Sequence, residues 1–341
     1  MPAKSNRYSN SRRYDLETVP YKVVDDLRIE ADIYFPLQPP SKPMSIALLV
    51  HGGGYMTLSR KSIRPHQTQY LLDNNILPIS IDYRLCPEIG VVEGPIEDMR
   101  DALIWAREQL PALARERGVV VDAEKVGVVG WSTGGHLAMT TAWTCLDFTT
   151  RQGDEYPERS LSMSSIRAAL SDKVITNYTS PSLTPSETNL GFLLPGDPRS
   201  ELVLSLFKDG NGLSLLLNGF PSLSPSTSSS PFSSSSSSSS STTNTPSKPA
   251  TKAQIHSISP LAQVRAGLYR TPTFIIHGGE DEVVPCSMAV GFERELRRMG
   301  VRSGVVVVPG KRHVFDARVR PGDAVWEEFV GRGYEFLLGF L

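Results

Sequence analysis

Five short apolar runs, "SIALLV", "ILPISI", "KVGVVG", "TFIIHG" and "GVVVV", recur along this 341-residue chain, with segments of helical periodicity between them. Each run is short and rich in Val and Ile. That is the pattern of strands buried on both faces rather than of helices. Strands alternating with helices require crossover connections, so the runs predict a mostly parallel, doubly wound α/β sheet. The intervening helices are legible. "SIRPHQTQYLLDNN" carries Tyr70, Leu71 and Leu72 on its later turns, and "GPIEDMRDALIWAREQLPAL" spaces Met99, Ala102, Leu103 and Ala106 along one face. "GGHLAMTTAWTCL", "SMAVGFERELRRMG" and "AVWEEFVGRGYEFLLGFL" supply three more, and "YKVVDDLRIEADIYFP" alternates as paired strands do.

The alternation stops between about residues 147 and 265. Apolar patches there, "NLGFLLPG", "ELVLSLF" and "LSLLLNGF", suit short helices. They form either a small core of their own or an apolar lid over a site. The tract "SPSTSSSPFSSSSSSSSSTTNTPSKPATK" has almost nothing to bury and cannot offset the entropy of ordering itself. The expected organisation is a flexible N-terminus (1–20), a first core part (21–146), a helical cap insertion (147–265) holding a disordered Ser-rich linker (222–252), and a second core part (266–341).

A net charge of −1 at pH 7 argues against a nucleic-acid partner. Three cysteines, Cys86, Cys145 and Cys286, are too few and too scattered for a disulfide framework, and no metal-binding spacing occurs. No cofactor is expected. The polar N-terminus has no apolar signal region, and no run approaches the roughly 20 apolar residues that span a bilayer, so a cytoplasmic protein is expected. The sequence is silent on oligomeric state.

One turn carries chemistry. In "VGVVGWSTGGHLA", Ser132 sits between glycines where a predicted strand meets a predicted helix, matching G-x-S-x-G. Side chains flanking such a bend would collide, so glycines stand there, and the hydroxyl is held clear of the sheet. "HGGGY" at 51–55 also follows a strand, and its glycines let backbone N–H groups face a developing oxyanion. A serine needs a base, and the base needs an orienting acid. His313 in "GKRHVF" follows the last strand. Asp281 is the preferred acid in "HGGEDEVVP", with Glu282 and Asp316 behind it and Glu280 expected in solvent.

With "SIDYRLCPE" and "IEDMRDALIWA" added, these segments resemble the α/β-hydrolase fold, in particular hormone-sensitive-lipase-like esterases. Cys86 and Thr133 stand where that branch has alanines, and its D-P-L-x-D-E acid motif is absent. "HGGEDEVVP" instead resembles the acid loop of dienelactone-hydrolase-like and prolyl-oligopeptidase-like members. The cast of residues 48–105 is also similar to hydrolases of fungal secondary metabolism and to thioesterase-like domains of fungal polyketide synthases.

The resemblance implies a serine hydrolase. Ser132 would attack an acyl carbonyl, His313 would shuttle its proton and Asp281 would orient the imidazole. The N–H groups of Gly53, Gly54 and Thr133 would hold the oxyanion. The implied substrate is a small-molecule acyl ester or thioester, a polyketide synthase product among the candidates. A peptidase or acyltransferase on the same residues, and a non-catalytic small-molecule-binding protein on a hydrolase fold, are the alternatives.

Overall fold

The computed structural model describes residues 13–143, 161, 163–181, 194–210, 212–220 and 248–341. Strands β1 (Tyr14–Val24), β2 (Leu27–Pro36), β3 (Met44–Val50), β4 (Ile76–Ile81) and β5 (Val121–Gly130) form one sheet in the order β1-β2-β4-β3-β5. The hairpin β1-β2 is antiparallel, as is β2 to β4, while β3 runs parallel to both β4 and β5. Strands β6 (Thr273–Gly278) and β7 (Ser303–Val308) pair in parallel as a second sheet. Among the described residues no ladder joins β5 to β6.

β3 shows why the apolar runs lack alternation. Successive side chains leave a strand on opposite faces, so a strand covered on both sides is apolar throughout. Ile46, Leu48 and Val50 pack into a core with Met99, Ala102 and Trp105 of α2 (Glu97–Glu108). Ala47 and Leu49 enter the opposite core with Leu71 of α1 (Pro65–Asp73). The periodic segment before residue 117 divides into a π-helical turn (Val92–Ile96), α2 and α3 (Leu110–Glu116). The helix α4 (Thr133–Thr140) follows β5 directly.

In the cap region the structure describes α5 (Met163–Ala169), α6 (Pro198–Asp209), α7 (Leu213–Asn218), α8 (Lys252–Ile258) and α9 (Pro260–Arg265). α6 is locally specified. The Asp197 side chain caps the N–H of Ser200, Pro198 opens the helix, and Gly210 closes it at φ 66°. Leu202, Leu206, Leu215, Leu216 and Leu217 are buried in the main core, not in a satellite of their own. α10 (Cys286–Arg298) and α11 (Gly331–Leu338) follow, with a 3-10 turn (Phe315–Arg318) and a π-helical turn (Trp326–Val330) between them.

Two expected boundaries need correction. The flexible N-terminus was expected to reach residue 20, yet β1 begins at Tyr14 and pairs Tyr14 with Pro36 and Pro20 with Glu30. Ladder hydrogen bonds use backbone groups, so an edge strand tolerates the exposed Asp15 and Thr18 once β2 is in place. The linker was expected to run to residue 252. Ala250 is buried, its N–H donates to Ser214 Oγ at 2.7 Å, and Thr251 forms a capping box with Gln254 at the start of α8. Residues 1–12, Cys145, most of "NLGFLLPG" and the serine tract through residue 247 lie outside the described residues.

Candidate active site

Ser132 occupies the turn between β5 and α4 with φ 54° and ψ −124°, a strained conformation for a residue with a Cβ. Its neighbours explain the glycines. A Cβ on Gly130 would lie 2.1 Å from the carbonyl oxygen of Gly134, and one on Gly134 would lie 2.3 Å from that of Val50. The bend therefore closes only if both positions lack side chains. Ser132 is left exposed and lines a cleft of about 1020 Å³.

His313 follows β7, and Asp281 follows β6. Ser132 Oγ lies 3.0 Å from His313 Nε2, and His313 Nδ1 lies 2.8 Å from Asp281 Oδ2. The other Asp281 oxygen accepts from the backbone N–H groups of Val283 and Val284 at 2.9 and 2.8 Å. Burial opposes ionisation of Asp281, but the Val284 amide, the His313 imidazole and the Val283 amide outweigh it and hold the carboxyl below the usual carboxylate range. The three residues come from three loops, and the structure brings them together. Glu280 and Glu282 are exposed. Asp316 faces Trp131 instead, accepting from its indole N–H at 2.9 Å.

His277 stands near the end of β6, just before the acid loop. Its Nε2 lies 2.8 Å from the Val284 carbonyl oxygen and 3.2 Å from Asp281 Oδ2, so it buttresses the acid loop. Its spacing four residues before Asp281 was visible, but on a strand followed by a turn that spacing has no fixed geometry.

The "HGGGY" loop lies against the serine turn, where a Cβ on Gly52 would meet the Trp131 carbonyl oxygen at 2.7 Å and Ser132 Cβ at 3.0 Å. Gly53 at φ 93° and Gly54 at φ 64° adopt left-handed conformations that favour glycine. Gly53, Gly54 and Thr133 line the same cleft as Ser132. Among the described residues their backbone N–H groups donate to no recorded backbone partner.

The loop is anchored by the "DYRLCPE" segment, residue by residue. Tyr83 OH donates to the carbonyls of His51 and Gly52 at 3.1 and 2.9 Å, and its ring stacks on His51. The Cys86 N–H donates to the Tyr55 carbonyl at 2.9 Å. Glu88 forms a buried ion pair with Arg199 of α6, and Arg199 also donates to the carbonyls of Met56 and Cys86 at 2.8 and 3.1 Å. A buried pair of this kind is costly to break from one side, because it strands the other charge. α6 is thus tied to the loop, and Val203 of α6 sits directly against Gly54.

His51 is fully buried. Its Nδ1–H donates to the Gly52 carbonyl at 2.9 Å, which leaves Nε2 as a bare acceptor. Burial pushes its pKa from 6.5 down to about 3. Burial also lowers the pKa of His136, whose Nε2 donates to the Ile258 carbonyl. Both histidines take up protons more readily in the unfolded chain. The contribution of His51 is complete above about pH 6.5 and declines as pH falls toward about 3, at up to about 1.4 kcal/mol per pH unit, and that of His136 declines in the same direction. The melting temperature is accordingly expected to fall from pH 7 to pH 4.5, and more gently in His51→Gln. Equal slopes in the two proteins would contradict this role for His51.

Among the described residues there is no cluster of three or more metal-ligating side chains, and no helix is long and apolar enough to cross a membrane.

Comparison with known proteins adds three findings. The family described as BD-FAE matches residues 31–190, and the prolyl oligopeptidase family matches residues 227–330. The chain is 47% identical over 350 residues to a non-reducing polyketide synthase of Stereocaulon alpinum, an alignment covering 96% of this chain and 13% of that protein. It is 42% identical to another from Acremonium egyptiacum, covering 98% of this chain and 16% of that protein. The chain therefore spans only a small part of these curated relatives. In structure it is similar to the propionate-bound esterase 2 of Thermogutta terrifontis, with a TM-score of 0.56, 22% identity and 96% of each chain covered. The butyrate-bound form of that esterase gives a TM-score of 0.55 at 22% identity, covering 96% of this chain and 95% of the other. At that identity the likeness speaks to the fold.

Proposed function

We propose a reaction from one premise: the chain belongs to the α/β-hydrolases, as a serine hydrolase related to a segment of fungal non-reducing polyketide synthases. The reaction is cleavage of an acyl ester or thioester through an acyl-enzyme on Ser132. The observation that carries it is the chain of contacts from an exposed Ser132 hydroxyl through His313 to a half-buried Asp281 whose carboxyl is held below the usual range.

Each group has a task. His313 Nε2 takes the Ser132 proton as the hydroxyl oxygen attacks the acyl carbon, then returns it to the leaving group. Asp281 holds Nδ1 protonated, which keeps Nε2 available as the base. The carbonyl oxygen becomes an oxyanion beside the N–H groups of Gly53, Gly54 and Thr133, each well-placed donor contributing on the order of 3 kcal/mol in the transition state. The N-terminus of α4 adds a favourable field at the same place. Water, activated by the same histidine, then releases the acid.

The cleft and the relatives support a substrate class. Apolar side chains of Met139, Val203, Phe207 and Phe292 line a volume suited to a bulky acyl group. The similarity to polyketide synthases supports a polyketide-type acyl group, presented as a thioester or an oxygen ester.

The test is a panel of p-nitrophenyl esters, N-acetylcysteamine thioesters and peptide p-nitroanilides with matched acyl parts. The expected result is turnover of esters and thioesters, with kcat/KM rising for bulky acyl groups and anilides at least about 100-fold slower. Anilides cleaved as fast as esters would favour the peptidase reading. No turnover of any of them, by folded protein, would favour a binding protein.

A further inference from the structure

The nucleophile and its base stand on separate sheets. Ser132 follows β5 in the five-stranded sheet, and His313 follows β7 in the two-stranded one. Among the described residues no ladder crosses from β5 to β6, so none of the described strand pairing ties the serine turn to the histidine loop, whose Ser132 Oγ and His313 Nε2 lie 3.0 Å apart.

We infer that Asp316 and Trp131 are positioning residues that clasp the histidine loop to the serine turn. This rests on the assignment of Ser132 and His313 above. Trp131 immediately precedes Ser132, and Asp316 lies three residues after His313. The Trp131 indole N–H donates to Asp316 Oδ2 at 2.9 Å, with Trp131 only 8% exposed. Val314, between His313 and Asp316, is held at φ 51°, in the left-handed region.

The clasp is itself braced from α1 and α11. Gln67 Nε2 donates to both the backbone carbonyl and Oδ2 of Asp316, at 3.1 and 3.2 Å, and Tyr334 OH donates to Gln67 Oε1 at 2.7 Å. Arg64 lies 3.4 Å from the same carboxylate and stacks its guanidinium 4.8 Å from the centre of the Trp131 ring. The carboxylate therefore receives N–H donors from three side chains and is opposed by one full positive charge. Bonds from several rigid neighbours fix its place, and through it the places of His313 and Ser132.

Asp316 is within reach of neither the hydroxyl nor the imidazole by any recorded contact, so it acts through geometry. Loss of the clasp leaves every reacting group present but lets the serine and histidine drift, and a misplacement near 1 Å costs on the order of 100-fold in rate. Ground-state binding in the cleft does not depend on that register. The signature is a loss in kcat with KM preserved.

The experiment uses Trp131→Phe, which removes the N–H and keeps an aromatic ring, Asp316→Ala, and their double variant. Asp316→Asn, which keeps an acceptor oxygen, is the conservative control. Each is compared with Ser132→Ala by ester hydrolysis, fluorophosphonate labelling rate and thermal melting. The expected result is a 10- to 100-fold drop in kcat and in labelling rate for both single variants, with KM within about 2-fold. The double variant is expected to be no worse than the weaker single one, because both remove the same bond. Asp316→Asn is expected to recover most of the rate. Single variants that fold and keep kcat within 3-fold would overturn the clasp, as would losses that multiply in the double variant or appear in KM. If Ser132→Ala itself stays active, the failure lies in the assignment of the nucleophile.

Discussion

Ser132→Ala is expected to lower ester hydrolysis by at least about 10⁴-fold while the protein melts within a few degrees of the wild type. In the proposed reaction the hydroxyl bonds to the acyl carbon, and among the described residues no other hydroxyl or thiol lies against His313. Its removal leaves the oxyanion donors and the cleft in place, so substrate binding survives while covalent chemistry does not. Because Ser132 is exposed, alanine creates no cavity. A folded variant retaining more than a few per cent of the rate would mean that another residue is the nucleophile. His313→Ala should match it closely, since groups acting as a unit fail as a unit.

Asp281→Asn should cost nearly as much, on the order of 10⁴-fold in kcat. The carboxylate accepts the Nδ1–H of His313, which leaves Nε2 free to take the serine proton. An amide offers an N–H on one side. If that group faces Nδ1, the imidazole must protonate Nε2 instead and loses its role as base. The backbone donors at Val283 and Val284 favour this outcome, because they claim the oxygen of the new side chain and turn its NH₂ toward the histidine. Glu280→Gln and Glu282→Gln should change kcat by less than about 3-fold, since both side chains are exposed. A large loss in Glu282→Gln with little in Asp281→Asn would reassign the acid.

The buried strands and the placement of the serine turn were legible because both rest on local rules. Doubly covered strands read as apolar runs, and a turn that admits no Cβ reads as Gly130 and Gly134 around Ser132. The proximity of His313 and Asp281 was reachable because each follows a strand at the same end of the fold. The start of β1 was not legible, since its pairing with β2 depends on backbone groups and its side chains are largely polar or exposed.

The network around Asp316 was beyond sequence reasoning. It joins residues 64, 67, 131, 316 and 334 from four elements, and nothing local marks Gln67 or Tyr334 as its braces. A carboxylate three residues after the histidine read as a spare acid, whereas it accepts an indole N–H. Arg199 was hidden in the same way, because its partners at Met56, Cys86 and Glu88 lie more than 100 residues earlier. Local pattern singled out Ser132, His313 and Asp281, which the fold brings into contact. It did not identify the side chains that hold their loops in place.

The most direct test is to expose the full chain to a fluorophosphonate and locate the added mass by peptide mass spectrometry. The account predicts one equivalent of adduct on Ser132 in the peptide containing "GWSTGGHLA", formed quickly at neutral pH, slowed strongly by His313→Ala and absent in Ser132→Ala. Adduct on a different residue, or none on a folded protein, would contradict the claim that this serine is an activated nucleophile.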